Sequence, residues 1–146
     1  MTPPASSFDL ATFLPYRMTV AAERLSTGLA RRYRDDYGIT IAEWRVLVHV
    51  ADAGSVSIRE IHRRVHLEKS KASRAAARLQ AAGYLSKQVN GDDRRLIALT
   101  LTPAGAALMQ DLLRIALDYQ HRLDALLAPH AAALDAALDA ILTDAP

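Results

Sequence analysis

The chain has no cysteine among its 146 residues. That excludes disulfides, thiolate nucleophiles, Cys-ligated zinc, iron–sulfur clusters and thiol redox sensing, and it fits a cytoplasmic protein. Aromatic residues are scarce at 5%, so the core must be built from Leu, Ala, Val and Ile. No apolar run reaches the roughly 18 residues of a membrane span. Residues 1–7 lack the basic-then-apolar order of a secretory leader and read as a flexible arm. Glycine-rich linkers, internal repeats and low-complexity tracts are missing too. No nucleophile turn or glycine-rich phosphate loop frames the Ser, His and Asp residues present, which points away from an enzyme and from a cofactor.

Apolar residues make up 51% and charged residues 23%, the proportions of a globular domain. The length suits one domain, or one domain with a dimerisation extension. The formal net charge of +2 is unevenly spread. Residues 1–58 sum to zero, residues 59–102 to +6 and residues 103–146 to −4. A basic middle of this kind suggests a polyanionic partner.

Leu10, Leu14, Met18, Ala21, Leu25, Leu29 and Tyr33 recur every three or four residues, which predicts a long amphipathic helix over 8–37. Pro15 lies inside it and predicts a kink or a separate first turn. Gly38 closes it. Thr40 with Glu43 is a capping box that opens a second helix carrying Trp44, Leu47, Val48 and Val50 and stopping at Gly54. Ser57 with Glu60 reads as another such box, opening a short helix with Ile58, Ile61 and Val65. A tight connection at 66–68 leads to a helix over 69–82, closed by Gly83. The period then shifts to strands at 84–89 and 96–101, flanking a six-residue loop with the Asn-Gly hairpin signal. Thr102-Pro103 starts another long helix. Pro129 breaks it, and a last helix covers 130–142.

Two short helices joined by a tight turn and followed by a hairpin make a winged helix-turn-helix. The predicted fold is therefore mainly α with a small β-hairpin wing. The winged core covers residues 38–102, with N- and C-terminal dimerisation helices over 8–37 and 103–146. On a helical wheel at about 100° per residue, Lys71, Arg74 and Arg78 share one face. Ala72, Ala76 and Leu79 occupy another and face inward. Ser70, Ser73, Ala77 and Ala81 flank the cations, and their small size allows close approach to base edges in a major groove. The residues expected at DNA are Arg59, Lys69, Ser70, Lys71, Ser73, Arg74 and Arg78, with Asp93, Arg94 and Arg95 at the hairpin tip. A projecting tip cation suits a narrow minor groove, held by an adjacent carboxylate.

These segments resemble the MarR family of transcriptional regulators from about Leu10 to Leu142. Asp93-Arg94-Arg95 followed by Leu99-Thr100-Leu101-Thr102-Pro103-Ala104-Gly105 is similar to the family's wing signature. Ser73-Arg74, Arg78-Leu79 and Gly83-Tyr84 are similar in spacing to its recognition helix. The resemblance implies that Arg95 enters the minor groove with Asp93 as its buttress, and that Ser73 and Arg74 meet bases and phosphates. It further implies a homodimer on a pseudo-palindromic double-stranded operator, acting as a repressor. Release by a small aromatic acid bound between two lobes is also implied, with Tyr16, Arg17, Trp44 and Met109 as the lining. There Arg17 would hold a carboxylate, Tyr16 and Trp44 would stack on a ring, and Met109 would adapt to its outline.

His62 and His66 have the i, i+4 spacing of metal ligands, which would suit a metal-responsive regulator. Arg59, Arg63 and Arg64 crowd them with positive charge, so a DNA-backbone or solvated role is preferred and no metal is assigned. Trp44 is equally readable as core. A winged-helix dimer that uses its basic face on an acidic protein is the competing class of function.

Overall fold

The structure is a computed structural model and describes residues 7–89 and 97–146. The elements run as a short 3-10 turn at Leu10–Thr12, then α1 (Leu14–Tyr37), α2 (Ile41–Ala53), β1 (Val56–Ser57), α3 (Ile61–Arg64), α4 (Lys69–Ala81), β2 (Leu85–Val89), β3 (Ile97–Leu101), α5 (Pro103–Leu127) and α6 (Ala131–Asp144). The chain is mainly helical with one small antiparallel sheet, as the periodicity predicts. It divides into two compact units, Met1–Met109 and Gln110–Pro146.

Pro15 does not kink a helix. It occupies the first turn of α1, where its missing N–H costs nothing, and the expected residues before it form the separate 3-10 turn. Gly38 ends α1 in the left-handed region at φ 66° and donates its N–H to the carbonyl of Arg34, a conformation glycine enters without a Cβ clash. At the start of α2 the Thr40 hydroxyl accepts from the Glu43 N–H at 3.1 Å and donates to the Glu43 carboxylate at 3.0 Å. The box therefore closes side chain to side chain.

The second expected box does not form. Ser57 belongs to β1 and pairs with Ala98 of β3. Its hydroxyl accepts from the Arg59 N–H at 3.3 Å. The helix begins three residues later than that box would place it, at Ile61 after an uncapped Glu60. Pairing to β3 wins because it satisfies the backbone of 56–58, including a bond from the Ile58 N–H to the Ile97 carbonyl at 2.9 Å. The sheet thus has three strands in the order β1-β3-β2, all antiparallel.

The core of the first unit is aliphatic. Leu47 and Val50 of α2, Ile61 of α3, Ala72, Ala75, Ala76 and Leu79 of α4, Leu85 of β2 and Leu99 of β3 are all buried. Helix α2 packs on α4 and on β3, and α3 packs on α4. Of the second unit, α6 has no buried residue, and Leu117, Leu126 and Leu142 are exposed at 58%, 76% and 82%. Among the described residues no single helix is long and apolar enough to cross a membrane.

Candidate nucleic-acid interface

The two faces of α4 follow from its side-chain sizes. Three buried alanines place its backbone close to α2 and α3, and Leu79 anchors its last turn. The opposite face carries Lys69, Ser70, Lys71, Ser73, Arg74, Ala77, Arg78 and Ala81, all exposed. The division expected from the wheel is present, with Ala75 added to the inner face. The Arg78 Nε donates to the Arg74 carbonyl at 3.4 Å, which lays that guanidinium back along the helix. Among the described residues no ion pair neutralises Lys69, Lys71, Arg74 or Arg78. The face therefore presents positive charge beside small side chains, an arrangement that accepts a polyanion at close range.

The turn into α4 is tight. Helix α3 stops at Arg64, Leu67 donates its N–H to the His62 carbonyl at 3.1 Å, and His66 sits at φ 55°. His62 and His66 are consequently not one helical turn apart on a single face, since the helix ends between them. Arg59 is exposed just before α3. Ser55, Ser57, Glu60, Arg63 and Arg64 line an open groove of about 430 Å³ that carries two guanidinium groups and one carboxylate.

Strands β2 and β3 pair from Leu85 with Leu101 to Val89 with Ile97, so the hairpin expected from the sequence is formed. Asp93, Arg94 and Arg95 lie outside the described residues.

The four residues expected around an effector are not gathered within one chain. Tyr16 and Arg17 line an open groove of about 400 Å³ with Ala11, Val20, Ala21 and Arg24. Trp44 instead lies against Tyr33, ring centroids 4.9 Å apart. Tyr33 is seventeen residues beyond Tyr16 on α1, about 25 Å at 1.5 Å per residue. Met109 is buried at 4% exposure.

Two features had no clear sequence signal. His49, on α2, is surrounded by charge: Arg64, Asp52, His66 and Arg45 all act on it, and Arg64 pairs with Asp52 at 3.9 Å. Its pKa is lowered, first by burial and then by the Arg64 guanidinium. The second is a crossing between the end of α4 and the start of α5. The Thr102 hydroxyl donates to the Gly83 carbonyl at 2.6 Å and accepts from the Gly105 N–H at 3.0 Å. The wing signature in the sequence contains both Thr102 and Gly105 but says nothing of what they touch.

Residues 37–96 match the family model of the MarR family. No curated protein matches the chain by sequence. Solved structures share the fold. A MarR family transcriptional regulator from Silicibacter pomeroyi DSS-3 superposes with a TM-score of 0.81 at 25% identity, covering 93% of this chain and 97% of that one. BpsR from Bordetella bronchiseptica, whose DNA binding is regulated by 6-hydroxynicotinic acid, gives 0.80 at 22% identity over 95% of this chain and 99% of its own. A mutant MarR from E. coli complexed with operator DNA gives 0.78 at 23% over 88% and 93%.

Proposed function

Because residues 37–96 match the MarR family model, we propose that the protein is a homodimeric transcriptional regulator of that family that binds double-stranded operator DNA and represses until a small acid releases it. The carrying observation is the outer face of α4, where Lys71, Arg74 and Arg78 stand exposed among Ser70, Ser73, Ala77 and Ala81. A helix of that composition fits the major groove, with Ser73 and Arg74 reading and Lys69, Lys71 and Arg59 meeting phosphates. By the family resemblance Arg94 and Arg95 would extend the contact, with Asp93 as a buttress. This is a binding function, with no catalytic step.

Dimerisation is supported by the apolar residues left uncovered on one chain, from Phe8, Phe13 and Leu14 at one end to Leu117, Leu126 and Leu142 at the other. Two copies one helical repeat apart, about 34 Å, would address a pseudo-palindrome. The effector reading is supported by the Tyr16 and Arg17 groove, which offers an aromatic ring and a guanidinium, and by the acid that regulates BpsR. Trp44 and Met109 serve in packing in this reading.

Fluorescence anisotropy with the DNA upstream of the protein's own gene tests the proposal, with and without a panel of aromatic acids. Saturable binding that exceeds binding to a scrambled duplex, and weakens when an acid is added, is the expected result. Equal affinity for both duplexes would refute sequence-specific regulation and favour an acidic protein partner. Specific binding that no acid alters would remove the effector alone.

A further inference from the structure

The end of the DNA-facing helix and the start of the longest helix are joined at one point. Helix α4 finishes at Ala81, and its last turn is closed by the Tyr84 N–H donating to the Leu79 carbonyl at 2.9 Å. Thr102 then makes three bonds, two of them to this turn. Its backbone N–H donates to the Tyr84 carbonyl at 3.1 Å, and its hydroxyl donates to the Gly83 carbonyl at 2.6 Å. The same hydroxyl accepts the Gly105 N–H at 3.0 Å, capping the first turn of α5. The crossing is so close that a Cβ at Gly105 would collide with the Tyr84 carbonyl.

A cap needs only the bond to Gly105. The second bond, to Gly83, ties that cap to the turn that follows α4, nineteen residues earlier. We propose that Thr102 is a positioning residue, which fixes the angle of α4 to the first turn of α5 so that the DNA-facing helix is presented in one orientation. This rests on the DNA-binding reading above. A dimer addresses two half-sites at once, so slack in each α4 relaxes the required half-site spacing. A hydroxyl that both donates and accepts is needed, which Ser retains and the isosteric Val lacks.

The test uses the full chain and its Thr102→Val and Thr102→Ser variants. Affinity is measured for palindromic duplexes whose half-site separation is varied by one base pair in each direction. The parent should favour one spacing. Thr102→Val, which removes both hydroxyl bonds, should lose about ten-fold of that preference, with low-salt binding to random DNA unchanged. Thr102→Ser should keep it. Because the chain has no cysteine, spin labels at Ser70→Cys and Ala107→Cys report the angle without DNA, when labelled chains are diluted into unlabelled ones. Thr102→Val should broaden that distance distribution and Thr102→Ser should not. A parent with no preference among spacings overturns the DNA reading and this inference with it. A parent with a preference that Thr102→Val retains overturns this inference alone, as does an unbroadened distribution.

Discussion

The ring of Trp44, the only tryptophan, packs on the ring of Tyr33 with centroids 4.9 Å apart and planes tilted by 37°. Tyr33 is fully buried and is the only fully buried aromatic residue among those described, with its phenol pKa pushed up by burial. The pair joins α1 to α2, so the tryptophan senses the packing of the N-terminal helix on the winged core. Removing the Tyr33 ring leaves a cavity in that contact. Tyr33→Ala should cost about 3–5 kcal/mol of stability. Urea unfolding followed by Trp44 emission checks this. A cost below about 1 kcal/mol would mean the ring is dispensable there.

Gly105 admits no side chain. Its Cα faces the Tyr84 carbonyl so closely that the backbone would have to shift to accept a methyl group. Gly105→Ala should therefore destabilise by more than about 2 kcal/mol although alanine is the better helix former. Thermal unfolding would show a lowered Tm. A raised Tm, the outcome helix propensity alone would give, contradicts the crossing.

Arg74→Ala should weaken binding to the specific duplex by about 1–3 kcal/mol if the guanidinium reads a base edge, and should relax the preference at one position. Arg95→Ala should weaken binding most where the flanks are AT-rich. Affinity should fall steeply between low and physiological salt as counterions are released. Anisotropy titrations at several salt concentrations decide all three points. A salt-independent affinity would be incompatible with a phosphate-tracking face.

The uncovered leucines of α5 and α6 predict association. Light scattering should give twice the 15.9 kDa chain mass at micromolar concentration. A charge at Leu117, which is 58% exposed in the single chain, should shift the population toward monomer if that face is shared. A stable monomer in the parent would end the dimer reading.

His49 predicts a pH dependence. Its folded pKa lies below the ordinary value of 6.5, through burial first and then Arg64, with His66 and Arg45 adding and Asp52 opposing. The unfolded chain therefore takes up the proton first as pH falls. Stability from this site is complete above about pH 7 and is lost as pH drops through 6.5 toward the folded value. The Tm of the parent should fall between about pH 7.5 and 5.5, and His49→Gln should reduce that fall. Identical slopes for the two proteins would assign the acid sensitivity elsewhere.

The sequence alone determined the helices, apart from where α3 begins, and which side of α4 faces inward. Those features are local: a repeat of three or four residues, a Thr-x-x-Glu cap and the alanine-rich stripe all act within a few turns. The hairpin strands were legible for the same reason, since alternation and an Asn-Gly turn need no distant partner. Only the tertiary structure decided the rest. Ser57 carries a capping pattern yet joins a strand, because β3, forty residues away, satisfies its backbone. Trp44 reads equally as pocket wall or core in the sequence, and its contact with the Tyr33 ring of α1 has no signal there. Tyr16 and Arg17 fall on the same helix as Tyr33, and the length of that helix separates them from the Trp44 contact. Thr102 looks like an ordinary N-cap, and its tie to Gly83 exists only because α5 starts where α4 ends. Local pattern governs which backbone groups can be satisfied nearby, and long-range contact decides among the partners when two are available.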